Sequence, residues 1–182
     1  MAKHKRVSFS EQNLVLDEID QYYRNIEAST RFYFSLSNPN ADELFAGRAK
    51  TEIEYELEII SKENEHLVAL NLLASVEAAF RVDYLQRCYK RKKDSLSLAL
   101  RAIHVTKGNH ASLDDDIFTA WKENTSSSNS IVSDLKGAFK YRHWLAHGRY
   151  WEPKLGRKYD YFSVFTLAQT VFNSFPFEGA NA

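Results

Sequence analysis

Between Pro39 and Pro153 the chain runs without a proline, and through that stretch apolar residues recur three and four positions apart. No other feature constrains the fold as much. A proline inside a helix removes a hydrogen bond and clashes with the preceding turn, so its absence leaves long helices open. The three prolines, Pro39, Pro153 and Pro176, fall where other signals also break the pattern. From Ser10 to about Leu36, Leu14, Ile19, Tyr22, Tyr23, Ile26, Phe32 and Phe34 fit a helix better than a strand. Asn40 with Glu43 reads as a capping pair that opens a helix reaching about Glu63. Within it, Glu52 to Ile60 alternates acidic and apolar residues, a strand signal in isolation. Phe45, Ala49, Ile53, Leu57 and Ile60 nevertheless carry helical spacing through the segment. Further helices are expected over about Glu65 to Lys92, Ser95 to Val105, Ser112 to Asn124 with Ser112 and Asp115 as its cap, Ser130 to Gly148, and Tyr161 to Phe175. A polar linker spans Thr125 to Asn129, and a loop spans Arg149 to Asp160. The pattern predicts an all-α fold, an up-and-down helical bundle.

A chain of 182 residues suffices for one domain, expected over 1–182 with flexible tails at about 1–8 and 177–182. The 24 basic and 24 acidic side chains cancel, so a polyanionic partner has to be held by a local patch. The single cysteine, Cys88, excludes an intrachain disulfide and suits a reducing compartment. The basic start, Met-Ala-Lys-His-Lys-Arg, is followed by no apolar run, and no stretch has the roughly 18 apolar residues of a membrane span. A cytoplasmic protein with no membrane partner is expected. Without a glycine-rich phosphate loop, ATP hydrolysis has no support. Cys88, set in an apolar helix stripe, gives little support to a cysteine hydrolase.

Two of the expected helices carry charges where apolar residues belong. Ile131, Leu135, Ala138, Arg142 and Leu145 lie on one stripe at 100° per residue, which puts Arg142 in a core-facing row. Leu70, Leu73, Glu77, Phe80, Tyr84 and Cys88 follow bundle spacing, with Glu77 in the row. Burying either charge alone costs several kcal/mol, whereas an arginine and a carboxylate that meet offset much of that cost. Glu77 and Arg142 are therefore expected to face one another.

Arg142 opens the most reactive segment of the chain, Tyr141 to Tyr150, which also holds His143 and His147 ahead of a C-capping Gly148. His143 lies about 100° and His147 about 140° around the helix from Arg142, so the three do not share one flat face of a straight helix. At the frayed helix end, His147 is free to turn into a cleft formed with another helix or another subunit.

Arg142, a polar residue at 143, three further residues and His147 resemble the R-x4-H signature of the HEPN superfamily. In that family the residue after the arginine is often Asn, His or Asp, and the motif falls near the end of a late helix in an α-helical bundle. The helix segment Glu77-Ala-Ala-Phe-Arg-Val-Asp83 also resembles the one that faces the motif in some HEPN ribonucleases, which makes Glu77, Arg81 and Asp83 supporting residues. The resemblance implies a metal-independent endoribonuclease with no cofactor, acting as a homodimer whose two motifs form a composite site. His147 would serve as general base or acid at a ribose 2′-hydroxyl or leaving oxygen, a role for which an unperturbed imidazole is suited. Arg142 would stabilise charge on the phosphate, His143 would orient one of these groups or touch the phosphate, and the product would be a 2′,3′-cyclic phosphate. Toxin or antiviral roles, with a cognate antitoxin or regulatory partner, belong to the same resemblance. Some HEPN toxins carry a tyrosine that accepts AMP two residues after the histidine; here that position is Arg149, and Tyr150 follows it.

Charge patterning accommodates RNA. Residues 81–107 hold eight basic against two acidic side chains and residues 136–158 seven against one, whereas 41–66 hold eight acidic against three basic. The run Lys90 to Lys93 and the loop residues Arg149, Lys154, Arg157 and Lys158 are candidates to follow a phosphate backbone. Trp144, Tyr150 and Trp151 are candidates to stack on unpaired bases. Two other readings stay open. His143 and His147 have the i, i+4 spacing of a zinc-binding pair, with Glu152, Asp160 or another helix to supply a third ligand. Alternatively, the domain is a non-catalytic module that binds nucleotide or RNA, or dimerises.

Overall fold

The longest element owes its length to what its sequence lacks: neither glycine nor proline occurs from Lys50 to Tyr89, and those 40 residues form one unbroken helix of about 60 Å. In the computed structural model, which describes residues 6–10, 12–126 and 129–179, it is the third of seven α-helices. In chain order these are α1 (Leu16–Tyr33), α2 (Ala41–Leu44), α3 (Lys50–Tyr89), α4 (Ser95–Lys107), α5 (Phe118–Asn124), α6 (Asn129–Ala146) and α7 (Tyr161–Ser174). The described residues contain no strand and no helix long and apolar enough to cross a membrane. The class is all-α, as expected from the spacing.

Helix α3 is the axis of the bundle, and α1, α4, α6 and α7 all pack on it. Its buried residues begin at Asn64 and include Val68, Leu72, Val76, Phe80 and Tyr84, the three-and-four repeat of a core face. Around Phe80 the aromatic rings of Phe118, Trp121, Phe175 and Phe177 meet edge-on, with centroids 4.9 to 6.1 Å away, the geometry that aromatic quadrupoles prefer.

Two expectations are corrected. The break near Asn64 does not exist: Lys62, Glu63 and Glu65 are the polar face of a continuous helix, and Asn64 itself is buried. The helix expected from Asn40 is only one turn, because Gly47 takes φ +75°, a left-handed conformation that ends it before α3 starts. The described residues at the two ends make specific contacts. Val7 donates its backbone N–H to the Tyr89 hydroxyl at 2.9 Å. Phe177 lies against the core, and Glu178 pairs with Lys92 and Lys90. Residues 1–5 and 180–182 lie outside the described residues.

Two local devices shape the turn before α5 and the end of α6. Between α4 and α5, Ser112 Oγ accepts from Asp115 N at 3.2 Å, and a wide turn closes with Ile117 N donating to Ser112 O at 3.0 Å. At the far end Gly148 has φ +77°, and Arg149 N donates to Trp144 O at 3.1 Å, which satisfies a terminal carbonyl in the manner of a Schellman cap.

Candidate functional site

Two helices meet at a carboxylate. Glu77 on α3 accepts Arg81 Nε on Oε1 at 2.8 Å and Arg142 Nη2 on Oε2 at 3.0 Å. The expected meeting of Glu77 and Arg142 is present, and Arg81, one helical turn from Glu77, shares the carboxylate while donating to Ala111 O at 3.3 Å. Arg142 is not engulfed. Its side chain is 32% exposed, its Cζ lies 6.0 Å from the Phe139 ring centre, and its Nε is buried with no partner. A carboxylate and an aromatic ring thus aim the guanidinium while one edge stays available.

That edge opens on a cleft of about 490 Å³ between α6, the 112–118 turn and the loop after α6. Arg142, Lys136, Lys140 and Lys154 contribute its cations, His143 an imidazole, and Trp151, Phe139, Leu113 and Leu155 its apolar surface. Two of the cations have carboxylate partners, Lys136 in Asp114 at 2.8 Å and Arg142 in Glu77, which it shares with Arg81. Lys140 and Lys154 pair with no carboxylate among the described residues. The loop folds back onto α6 because Trp144 Nε1 donates to Trp151 O at 2.7 Å.

His143 and His147 are both exposed, and their ring centroids lie 4.2 Å apart at 51°. His143 lines the cleft and lies 5.7 Å from the Trp151 ring. His147 adjoins the cleft through His143 rather than lining it. The site is therefore a row of Arg142, His143 and His147 running from a held guanidinium to the protein surface. No group of three or more His, Cys, Asp or Glu side chains among the described residues is arranged to hold a metal ion, so the two histidines find no third ligand there.

The remaining sequence candidates scatter. Asp83 is tied elsewhere: fully buried, it takes Arg87 Nε at 2.8 Å and Glu178 N at 2.8 Å on Oδ1. Burial pushes its carboxyl up to about 6 against the opposing pull of those bonds. Arg87 also reaches Asp94 at 3.4 Å and Pro176 O at 2.8 Å, so this pair straps the C-terminal segment to α3. Arg149 is engaged with α3 as well. It grips Glu63 through Nη1 at 2.6 Å and Nη2 at 3.0 Å, and Nη1 lies 2.7 Å from His66 Nδ1. The hydrogen bond from Arg149 holds the Glu63 carboxyl below its usual range. Burial, with Arg149 beside it, holds the His66 imidazole below its usual range too. Arg157 pairs with Asp134 at 3.2 Å and lies over the Tyr159 ring. Lys158 lines a second cleft with Glu58, Glu65 and Tyr159. Tyr150 is 84% exposed and stands 4.6 Å from Trp151, edge to face.

Sequence reasoning passed over Lys136, Lys140, Glu63 and His66. The first two fall on the helical face of His143, seven and three positions before it, and were legible from spacing. Glu63 is 86 residues from Arg149, and nothing local announces the contact.

In comparisons with known proteins, no family model, no curated protein and no solved structure matches this chain.

Proposed function

We propose that the chain is an endoribonuclease of the HEPN type, acting without a metal ion on single-stranded or looped RNA as a homodimer. The observation that carries the reading is Arg142, held by Glu77 at 3.0 Å on the wall of a cation-lined cleft beside His143, whose ring lies 4.2 Å from that of the exposed His147. This is the set that cleavage by a neighbouring ribose hydroxyl requires. One imidazole takes the proton of the 2′-hydroxyl as O2′ bonds to phosphorus. A protonated imidazole delivers a proton to O5′ as the P–O5′ bond breaks, leaving a 2′,3′-cyclic phosphate and a 5′-hydroxyl. The fork of Arg142 stabilises charge on the non-bridging oxygens. Because the row reaches the protein surface, a second copy of Tyr141 to Tyr150 can close the site from outside.

The second reading, a module that binds nucleotide or RNA without cutting it, is favoured by one feature: His147 lies outside the cleft that Arg142 lines. Cleavage of labelled single-stranded RNA in chelator separates the two. Wild type is expected to cut, and Arg142→Ala and His147→Ala to lose at least about a hundredfold in rate, the scale of one general acid or base. If His147→Ala cuts as fast as wild type, the catalytic assignment is wrong.

A further inference from the structure

We infer that the cleft beside Arg142 is a subsite for one nucleotide unit, its base on the Trp151 ring and its phosphate between Lys140 and Lys154. The inference rests on the proposed reading only in taking RNA as one source of that unit.

Four observations carry it. The volume, about 490 Å³, lies within the range of small-molecule sites. The charge is divided: Asp114 answers Lys136, and Glu77 is shared by Arg81 and Arg142, which leaves Lys140 and Lys154 as the cations facing the same space with no paired carboxylate among the described residues. An anion entering there meets two ammonium groups and one edge of a fixed guanidinium. Next, Trp151 lines the cleft with its backbone pinned, because its carbonyl accepts from Trp144 Nε1, and its ring is held between His143 and Tyr150. A base that stacks on a prearranged ring loses little to ordering it. Finally, Phe139, Leu113 and Leu155 give the space apolar surface that a free phosphate would leave unused. A ligand that is anionic at one end and flat and aromatic at the other uses all of these features. The polar groups of the cleft are largely committed: Ser112 Oγ accepts from Asp115 N, and Asp114 is paired with Lys136. Few groups remain to read a base edge, so stacking area decides preference and purines are held more tightly than pyrimidines.

The binding of adenosine 5′-monophosphate to the full chain, measured by calorimetry alongside adenosine and inorganic phosphate, tests this. The monophosphate is expected to bind at least about tenfold more tightly than either fragment. Trp151→Ala should weaken it by about tenfold or more, the scale of one base–aromatic stack, and the double variant Lys140→Ala/Lys154→Ala should bind it no more tightly than adenosine. Both lysines are exposed, so that variant keeps its fold, checked by its circular dichroism. A 2′-O-methyl oligoadenylate, which has no 2′-hydroxyl to attack, distinguishes the sources. Displacement of the monophosphate by the oligomer assigns the subsite to a strand, and failure to displace it assigns the subsite to a free nucleotide. Monophosphate binding no tighter than phosphate, or undiminished in both variants, overturns the inference. Because no readout involves cleavage, a protein that binds the monophosphate but cuts no RNA sinks the ribonuclease reading and leaves the subsite standing.

Discussion

Glu77→Gln tests the joint on which the site is built. The carboxylate takes one charge-assisted bond from Arg81 at 2.8 Å and one from Arg142 at 3.0 Å, with side-chain exposures of 19% for Glu77, 40% for Arg81 and 32% for Arg142. The Arg81 bond is an i, i+4 pair with one open partner and contributes about 0.5 kcal/mol. The Arg142 bond is better shielded. A hydrogen bond to a charged group reaches about 1.5–3 kcal/mol when buried, and solvent at this site reduces that to about 1–2 kcal/mol. Glutamine preserves the shape but loses the negative charge and sets an amide N–H₂ against a guanidinium, so a total loss of roughly 2 kcal/mol is expected. For a chain of this size that lowers the Tm by about 4–8 °C, read by circular dichroism. A double-mutant cycle with Arg142→Gln should return a coupling of about 1 kcal/mol. An unchanged Tm together with coupling near zero would mean that Glu77 does not hold Arg142, and the placement of the guanidinium would need another cause.

Two further outcomes follow from buried positions. The Asp83 carboxyl, raised to about 6 from an ordinary 3.8 by burial, stabilises the fold fully below its unfolded value and loses that contribution as pH rises through about 6. The stability gap between wild type and Asp83→Asn, from urea unfolding at pH 4 to 7.5, should therefore narrow as pH rises; a constant or widening gap contradicts this. At Gly137 a Cβ would stand 2.6 Å from the Tyr159 hydroxyl, whose ring is stacked on Tyr141 at 5.2 Å and has little freedom to move. Gly137→Ala should cost about 1–2 kcal/mol despite the helix-propensity gain, and Gly137→Ala/Tyr159→Phe should recover most of it; an alanine variant as stable as wild type would show that the tyrosine yields.

The helices were legible because burial imposes its period on the sequence, and so was the meeting of Glu77 with Arg142, two charges that each occupied a core row. The end of α6 was legible because Gly148 supplies a backbone conformation that few residues adopt. What escaped was of two kinds. Gly47 was overlooked as a breaker, and the polar run Lys62 to Glu65 was taken for a gap, because its one buried member, Asn64, is itself polar and carries no apolar signal. The rest was long-range. Arg149 reads locally as a free basic loop residue, yet Glu63, from the other end of the chain's polar helix face, claims it. Asp83 sits within the segment that resembles a ribonuclease helix, yet the partner one turn on, Arg87, takes it into the core. Charge in a sequence marks capacity for pairing, and only the fold decides whether the partner is a ligand or the protein itself.

The most direct measurement of the central claim is the chemistry of the cut ends. Single-stranded RNA incubated in chelator with the wild-type protein is expected to give fragments with 2′,3′-cyclic phosphate and 5′-hydroxyl ends, and a strand carrying a 2′-deoxyribose at the cut position is expected to stay intact there. Ends bearing 3′-hydroxyl and 5′-phosphate, or no cleavage of any RNA, would contradict the assignment of Arg142 and His147 to attack by the ribose 2′-hydroxyl.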